Sequence, residues 1–505
     1  MATTPLTSRS VRRRIAPSPG FALPPARGPS ASELAPRRIA SNFAALSLAE
    51  ILCRGTSVAV MLSLTSRLEP AHYGRIGFAF NVVFWLVLLV RDGVEVIAAR
   101  ELARHPRLIR PLVNHVLAVK GVLAIVLFAG LVAVGSLTLS DSIDRTILSL
   151  YGLMLLTTAL GLDFVYRGTE RMGLVAVSLS IRTLIYAIGV WFWVTDASRI
   201  VWVPALLALG EVCGIALVWA CYIRMYGLPR PVLGGRFLRV FLRRGRSVCL
   251  IQVAQTVIGS VDFMVVGLMS QWADVGRYGA PHQMITAVLT FGLIFQQVVF
   301  PTLARSWRKT AASGRQALNA LVQVLVAGLI PVAVGGTILA GPLVRFLPEK
   351  YAGASLLLAL GIWKAPLLNL AYLYQTTLIA VNREAAGVRL LLAGAIGSGP
   401  MVALFRWYFG LAGATAAVLL IALGLVIAGY GCLAREGRQP AWHHHLALPL
   451  VASLAMIPAC LLLQRVHVLA AIGGGILTYI PVLAVLGGFP HESLRSIFHR
   501  TRTRG

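Results

Sequence analysis

Apolar runs of about 20 residues recur between residues 42 and 487, and they leave the chain few ways to fold. Inside hydrocarbon no water satisfies the backbone, so a segment must bond its own N–H and C=O groups as a helix or join a closed barrel. About 20 helical residues cross the bilayer core. The runs are continuous and lack the in–out alternation of barrel strands. An all-α, polytopic membrane protein is therefore expected. Fourteen spans are read at 42–64, 76–98, 112–136, 146–166, 173–195, 201–223, 247–269, 279–301, 317–340, 354–380, 386–405, 409–432, 445–464 and 467–487. Only Gln464, Arg465 and His467 mark the break between the last two. Only 13% of the 505 residues are charged, about half the share of a soluble domain.

The net charge of +28 raises the possibility of a nucleic-acid partner. The basic residues fall mostly in the gaps between apolar runs, which is the pattern of membrane topology and anionic headgroups, and no nucleic acid is expected. With the first residues inside, that side holds 31 of the 46 Lys and Arg, the other side nine, and the spans six. This asymmetry predicts that both termini are cytoplasmic. Residues 1–41 are rich in Pro, Ser and Arg, and no apolar core follows Arg12-Arg13-Arg14 as a signal peptide requires. They read as a disordered basic tail, and 488–505 as a second cytoplasmic tail. In the connection 224–246, Phe237, Leu238, Phe241 and Leu242 share one helical face, with Arg236, Arg239 and Arg243 largely opposite. That predicts an amphipathic helix on the inner leaflet.

The same connection divides two similar halves. Tyr73-Gly74 and Tyr278-Gly279 end the first outer loop of each half. Leu102-Ala103-Arg104 and Leu303-Ala304-Arg305 follow the second span of each. Six spans per half, 42–223 and 247–432, give repeats of the same orientation, related about an axis along the membrane normal. Residues 433–487 add two spans. The six cysteines have no metal or redox spacing and read as packing residues. His443-His444-His445 has no matching ligand cluster and reads as a solvated loop. There is no Gly-rich nucleotide loop, no metal-spaced cluster and no large outer loop for glycosyl transfer, so neither an enzyme nor a cofactor is expected.

Several stretches together carry a family resemblance. They are Leu68-Glu69-Pro70-Ala71-His72-Tyr73-Gly74, then Asp92-Gly93 and Arg100 to Arg104; Asp163 to Arg171; Val261-Asp262-Phe263 with Val275 to Ala280; and Gly410 to Ala417. In this order, over about residues 40–488, the chain resembles the polysaccharide-biosynthesis flippases of the multidrug/oligosaccharidyl-lipid/polysaccharide exporter superfamily. It departs at Leu347, where related sequences often have Gly, and in its Arg-rich tail. The resemblance implies two six-helix lobes facing a central cavity plus two C-terminal helices, in a bacterial cytoplasmic (inner) membrane. It implies a polyprenyl-pyrophosphate-linked oligosaccharide as substrate, moved from the cytoplasmic to the outer leaflet by alternating access. Membrane lipids and other polysaccharide-assembly proteins are the partners it implies.

Such a load needs cations to replace the hydration of its pyrophosphate, and Arg and Lys suit phosphate as planar fork and point charge. Ionisable residues within spans usually face a bundle interior or a watery cavity. By depth, Arg54, Arg182 and Lys364 lie near mid-membrane and are the expected substrate-binding cations. Lys120 and Arg91 lie nearer the inner side. Each has a plainer reading: Glu50 is four residues from Arg54 and Glu95 four from Arg91, the spacing of neutralising pairs. Arg182 and Lys364 have no charged neighbour at helical spacing. Lys364 precedes Pro366, where a helix can break. Glu50 and Glu211 read as a counter-ion or proton site, and Asp92, Asp163 and Asp262 as caps, partners or gates. The alternatives are a cation-coupled drug exporter of the same superfamily, a peptidoglycan-precursor flippase, and a membrane glycosyltransferase or polymerase. Midplane cations outnumbering midplane acids argues against the drug exporter, and short outer loops argue against the last.

Overall fold

A computed structural model describes residues 31–351 and 353–488, with the side chains of 31–45, 93, 106, 235–246, 297, 298, 301 and 442–445 outside that description. The described chain is helical throughout. In order the helices are α1 Ala31–Arg67, α2 Pro70–Arg104, α3 Ile109–Thr138, α4 Ser142–Leu160, α5 Asp163–Gly168, α6 Met172–Trp193, α7 Trp202–Tyr226, α8 Gly235–Met269, α9 Trp272–Lys309, α10 Ala311–Ile338, α11 Ala340–Val344, α12 Ala354–Gly361, α13 Lys364–Ala380, α14 Glu384–Arg435, α15 Trp442–Ala455, α16 Ile457–Leu463 and α17 Val468–Val485. By length and composition, 11 helices can cross a membrane among the described residues. The 35-residue α2 and 38-residue α9 also exceed the length of a crossing. The 52 residues of α14 hold two spans that meet at Gly410, whose φ of 67° and ψ of −153° break the helix. Fourteen spans result.

Three segments differ from the expectation. Helix α1 begins at Ala31, ahead of the apolar run: Ala31, Glu33, Leu34 and Ala35 are helix formers, although Pro36 follows them inside the helix. The disorder expected of residues 1–30, like the C-terminal tail beyond 488, lies outside the described residues. The helix expected in the connection is present, but it is continuous with span seven as the single helix α8. Its two faces also lie outside the described side chains. Residues 443–445 start α15 rather than a loop. Among the described residues no group of three metal-ligating side chains occurs, and the six cysteines are free.

The two halves meet through their first two spans: α2 packs on α8 and α9, and α1 packs on α9. Helices α15 to α17 lie against α10. The core is arranged differently at the two ends. At the end carrying the α1–α2 and α8–α9 turns, Val60, Met61, Leu64, Leu68, Tyr73 and Ile76 share one cluster with Ala280, Ile285, Leu347, Tyr351 and Leu358. Toward the other end, Val94, Leu102, Val113, Phe164 and Tyr222 form a cluster of first-half residues alone. A separate cluster around Ile251, Leu303, Leu321 and Tyr374 is confined to the second half and the added helices. Apolar packing thus joins the halves at the hairpin end, while toward the other end their apolar clusters are separate and α2 still lies along α8.

The hairpin-end contact is closest between helix backbones. A Cβ on Gly74 would overlap the carbonyl of Trp272 and the amide of Gly276, and one on Gly276 would overlap the carbonyl of Pro70. At the opposite end, the connection between halves is tied to the first half. Asn114 of α3 accepts from the Arg230 amide at 2.8 Å through its side chain and from the Val232 amide at 3.2 Å through its backbone. Two residues later, Gly234 caps α8 in an extended conformation, φ −108° and ψ 107°.

Candidate functional site

Nine ionisable residues of the first half belong to α1, α2, α3, α5, α6 and α7, and most of them are ion-paired. Lys120 is the most enclosed, with its whole side chain shielded. Its ammonium donates to Glu95 Oε1 at 2.6 Å and to the Gly161 carbonyl at 3.0 Å, with the Phe164 ring 5.8 Å away. Gly161 lies in the break between α4 and α5, so its carbonyl is available to an outside donor. Lys120 therefore fastens three elements together and is no free inner-side cation. Arg91 bonds to its neighbour Asp92 at 2.6 Å. Among the described residues no Arg91–Glu95 ion pair occurs, and Glu95 bonds to Lys120 instead.

Arg182 of α6 is joined to acids far away in sequence. Its guanidinium lies 3.3 Å from Asp163 Oδ1 and 3.2 Å from Glu211 Oε2. Glu211 thus sits as its counter-ion. Two glycines that sequence reading passed over make room for it. A Cβ at Gly210 would strike the Arg182 backbone, and one at Gly214 would strike its side chain. The signal was the Gly-x-x-x-Gly spacing around Glu211. Both carboxylates occupy the outer nitrogens of Arg182, and its Nε remains buried without a hydrogen-bond partner.

Arg54 stands apart. The Glu50–Arg54 pair suggested by their spacing is absent: among the described residues no ion pair joins them, and the Arg54 Nε is also buried without a hydrogen bond. The adjacent Cys53 accepts from Thr183 Oγ1 at 3.0 Å, which places Arg54 beside the turn of α6 that carries Arg182. Two guanidinium groups on α1 and α6 therefore each retain an unmatched N–H donor. A buried donor without a partner carries the desolvation cost of about 1–3 kcal/mol.

Lys364 lies in the second half, 3% exposed, at the first residue of α13 after the break that separates it from α12. It does not approach the Arg54–Arg182 region as a free charge. Its ammonium bridges both oxygens of Asp262 at 3.1 and 2.9 Å. Tyr278 donates to Asp262 Oδ2 at 2.8 Å, Thr415 lies 3.3 Å from the Tyr278 hydroxyl, and His282 Nδ1 lies 3.6 Å from Asp262. Sequence reading missed Tyr278, His282 and Thr415 because they come from two helices that only the fold brings to Asp262. The structure thus brings Arg54, Arg91, Lys120 and Arg182 into one half with Glu50, Asp92, Glu95, Asp163 and Glu211, and leaves Lys364 and Asp262 in the other. Over these nine first-half residues five acids accompany four cations, whereas the expected excess concerned only the midplane groups Arg54, Arg182 and Lys364 against Glu50 and Glu211.

The family described as polysaccharide biosynthesis protein matches residues 39–307. No curated protein matches the chain. Among solved structures, one titled as lipid II flippase MurJ in an inward closed conformation aligns with a TM-score of 0.71 at 14% identity, over 87% of this chain and 98% of that one. An inward-facing multidrug resistance MATE family transporter of the MOP superfamily aligns at 0.64 and 12%, over 76% and 94%. The MATE multidrug transporter DinF-BH aligns at 0.60 and 14%, over 81% and 97%. These likenesses establish the fold, a multi-pass helical membrane protein.

Proposed function

The chain belongs to the polysaccharide biosynthesis protein family, and on that premise we propose that it is a flippase carrying a polyprenyl-pyrophosphate-linked oligosaccharide from the cytoplasmic to the outer leaflet. The membrane is a bacterial inner membrane, and both termini are cytoplasmic, as the distribution of Lys and Arg supports. The hairpin end then faces outward, and fused packing there with separate cores inside is the arrangement of an inward-directed state.

One observation carries the reading: the unmatched Nε donors of Arg54 and Arg182 on neighbouring helices. A guanidinium donor left idle at membrane depth is ready for an oxyanion, and a charge-assisted bond to phosphate is worth about 1.5–3 kcal/mol. Arg54 takes the pyrophosphate first, and Arg182 joins it as Asp163 and Glu211 yield. Lys120 and Lys364 hold the two halves in shape. The lobes then rock, the sugar head crosses between them, and the lipid tail stays in the bilayer.

The near balance of acids and cations in the first half favours one second reading, a cation-coupled exporter of the same superfamily. One experiment separates the two. Cells lacking the protein are complemented with wild type, Arg54→Ala or Arg182→Ala, and surface polysaccharide and the sidedness of its lipid-linked precursor are measured. The flippase reading expects complete precursor trapped on the inner leaflet, rescued by wild type and not by Arg54→Ala. Precursor that reaches the outer leaflet without the protein, together with increased drug sensitivity, would establish the exporter instead.

A further inference from the structure

The segment between α11 and α12 belongs to the second half, yet its side chains are built into the seam with the first. Leu347 is 4% exposed and Tyr351 fully buried, both within the core cluster that holds Leu64, Leu68 and Tyr73. The Tyr351 ring stands edge-on to Tyr73, with centroids 6.3 Å apart and planes at 79°. Between them, the Lys350 ammonium reaches Glu69, the residue before α2, at 3.4 Å. The strap is held to its own half: Arg277 of α9 lies 3.5 Å from the Lys350 carbonyl and also bonds to Asp274 at 3.3 Å. Gly353, at φ 89°, turns the chain from the strap into α12.

Two features suggest a part that seats and leaves. Glu69 is 64% exposed and Lys350 25%, so water screens the ion pair from the Glu69 side and it holds weakly. The Tyr351 hydroxyl is buried with no hydrogen-bond partner. Seating the ring therefore leaves a polar group dry, and withdrawing it returns that group to water. The same end carries the backbone contact of Gly74 with Gly276, which has no side chains to adjust and must separate as a unit.

We propose that this strap is the latch of the hairpin-end exit, with Tyr351 and Leu347 as its plug and Lys350–Glu69 as its catch, and that release of cargo at that end requires the plug to withdraw. The proposal rests on the transport reading above for its purpose, but its test needs no cargo. In an otherwise cysteine-free chain, Leu64→Cys on α1, buried in the same cluster as Tyr351, reports access by a membrane-impermeant maleimide supplied from the hairpin-end side. Wild type should label slowly. Tyr351→Ala should label about tenfold faster, a shift of the closed–open balance. Tyr351→Phe keeps the ring, removes the unpartnered hydroxyl, and should label more slowly than wild type. Glu69→Gln should lie between wild type and Tyr351→Ala. Phe346→Ala, on the exposed side of the strap at 51%, should match wild type. If Tyr351→Ala does not fold, the opposite shifts of Tyr351→Phe and Glu69→Gln still decide. Labelling rates unchanged by Tyr351→Phe and Glu69→Gln would overturn the latch. Altered labelling with normal precursor sidedness in cells lacking the protein would keep the latch and remove the flippase.

Discussion

Among single residues, the contrast between Arg54 and Lys120 sets the functional expectations. Both are basic groups inside apolar helices, and depth alone ranked Arg54 first. The fold separates the two by their partners, which sequence could not supply. Lys120 meets Glu95, 25 residues away, and the Gly161 carbonyl, while Arg54 meets no carboxylate within ion-pair distance among the described residues. Removing one partner of a buried ion pair strands the other charge and costs about 3–5 kcal/mol. Glu95→Gln and Asp262→Asn should therefore lower the melting temperature of the purified protein markedly. Arg54→Ala should leave it nearly unchanged, because it removes no bond, while weakening substrate binding about tenfold or more. A melting loss for Arg54→Ala equal to that of Glu95→Gln would mean that Arg54 is structural. The same pairings show where sequence reading stops. Position along a helix gave the depth of Arg182 and Lys364. Their partners Asp163, Glu211 and Asp262 come from other helices, and no spacing within one helix reveals them.

For whole helices, the breaks are as informative as the runs. The apolar pattern located all fourteen spans because period and length are local properties. It gave α8 as two pieces because polarity changes at residue 247 while helix geometry does not. Gly410 marks the reverse case, a break inside what otherwise continues as helix. Its backbone lies where only Gly is comfortable, and a Cβ there would meet no atom within 4 Å. Gly410→Ala should thus cost about 1–3 kcal/mol of backbone strain alone, with no packing loss. Calorimetry or thermal scattering checks this, and a neutral result would show that the turn relaxes. At the start of α4, Asp141 caps the helix by accepting from the Ile143 amide at 2.9 Å and from Arg75 at 2.6 Å. The Ile143 amide first, then Arg75, holds its carboxyl below the usual carboxylate range. A depressed folded value means the cap stabilises above the ordinary carboxylate pKa and is lost as pH falls through the lowered one. Melting measured from pH 6 to pH 3 should therefore fall more steeply in wild type than in Asp141→Asn. Parallel slopes would show that the cap contributes nothing.

Taken as a whole, the molecule is two halves whose apolar packing is joined at one end and separate at the other. The repeat was visible in Tyr73-Gly74 and Tyr278-Gly279, but their packing role was not. Gly276, outside the repeated pair, makes the tight crossing with Gly74, and only the assembled seam shows it. The connection between halves has a mechanical meaning as well. Asn114 fixes it to the first half as far as Val232, and α8 is helical from Gly235. The joint in this connection is thus confined to Leu233 and Gly234. Gly235→Pro fits the first helical position and holds Gly234 in the extended form it already has. It should slow transport while leaving substrate affinity unchanged, and a loss of affinity instead would place the joint elsewhere. Beyond that joint, α8 runs unbroken for 35 residues to the turn beside Trp272. At 1.5 Å per residue it is a rod about 52 Å long, and a tilt of about 10° sweeps its tip by roughly 9 Å. On the transport reading proposed above it works as a crank: a small rotation at the connection end becomes a displacement of that size at the hairpin end.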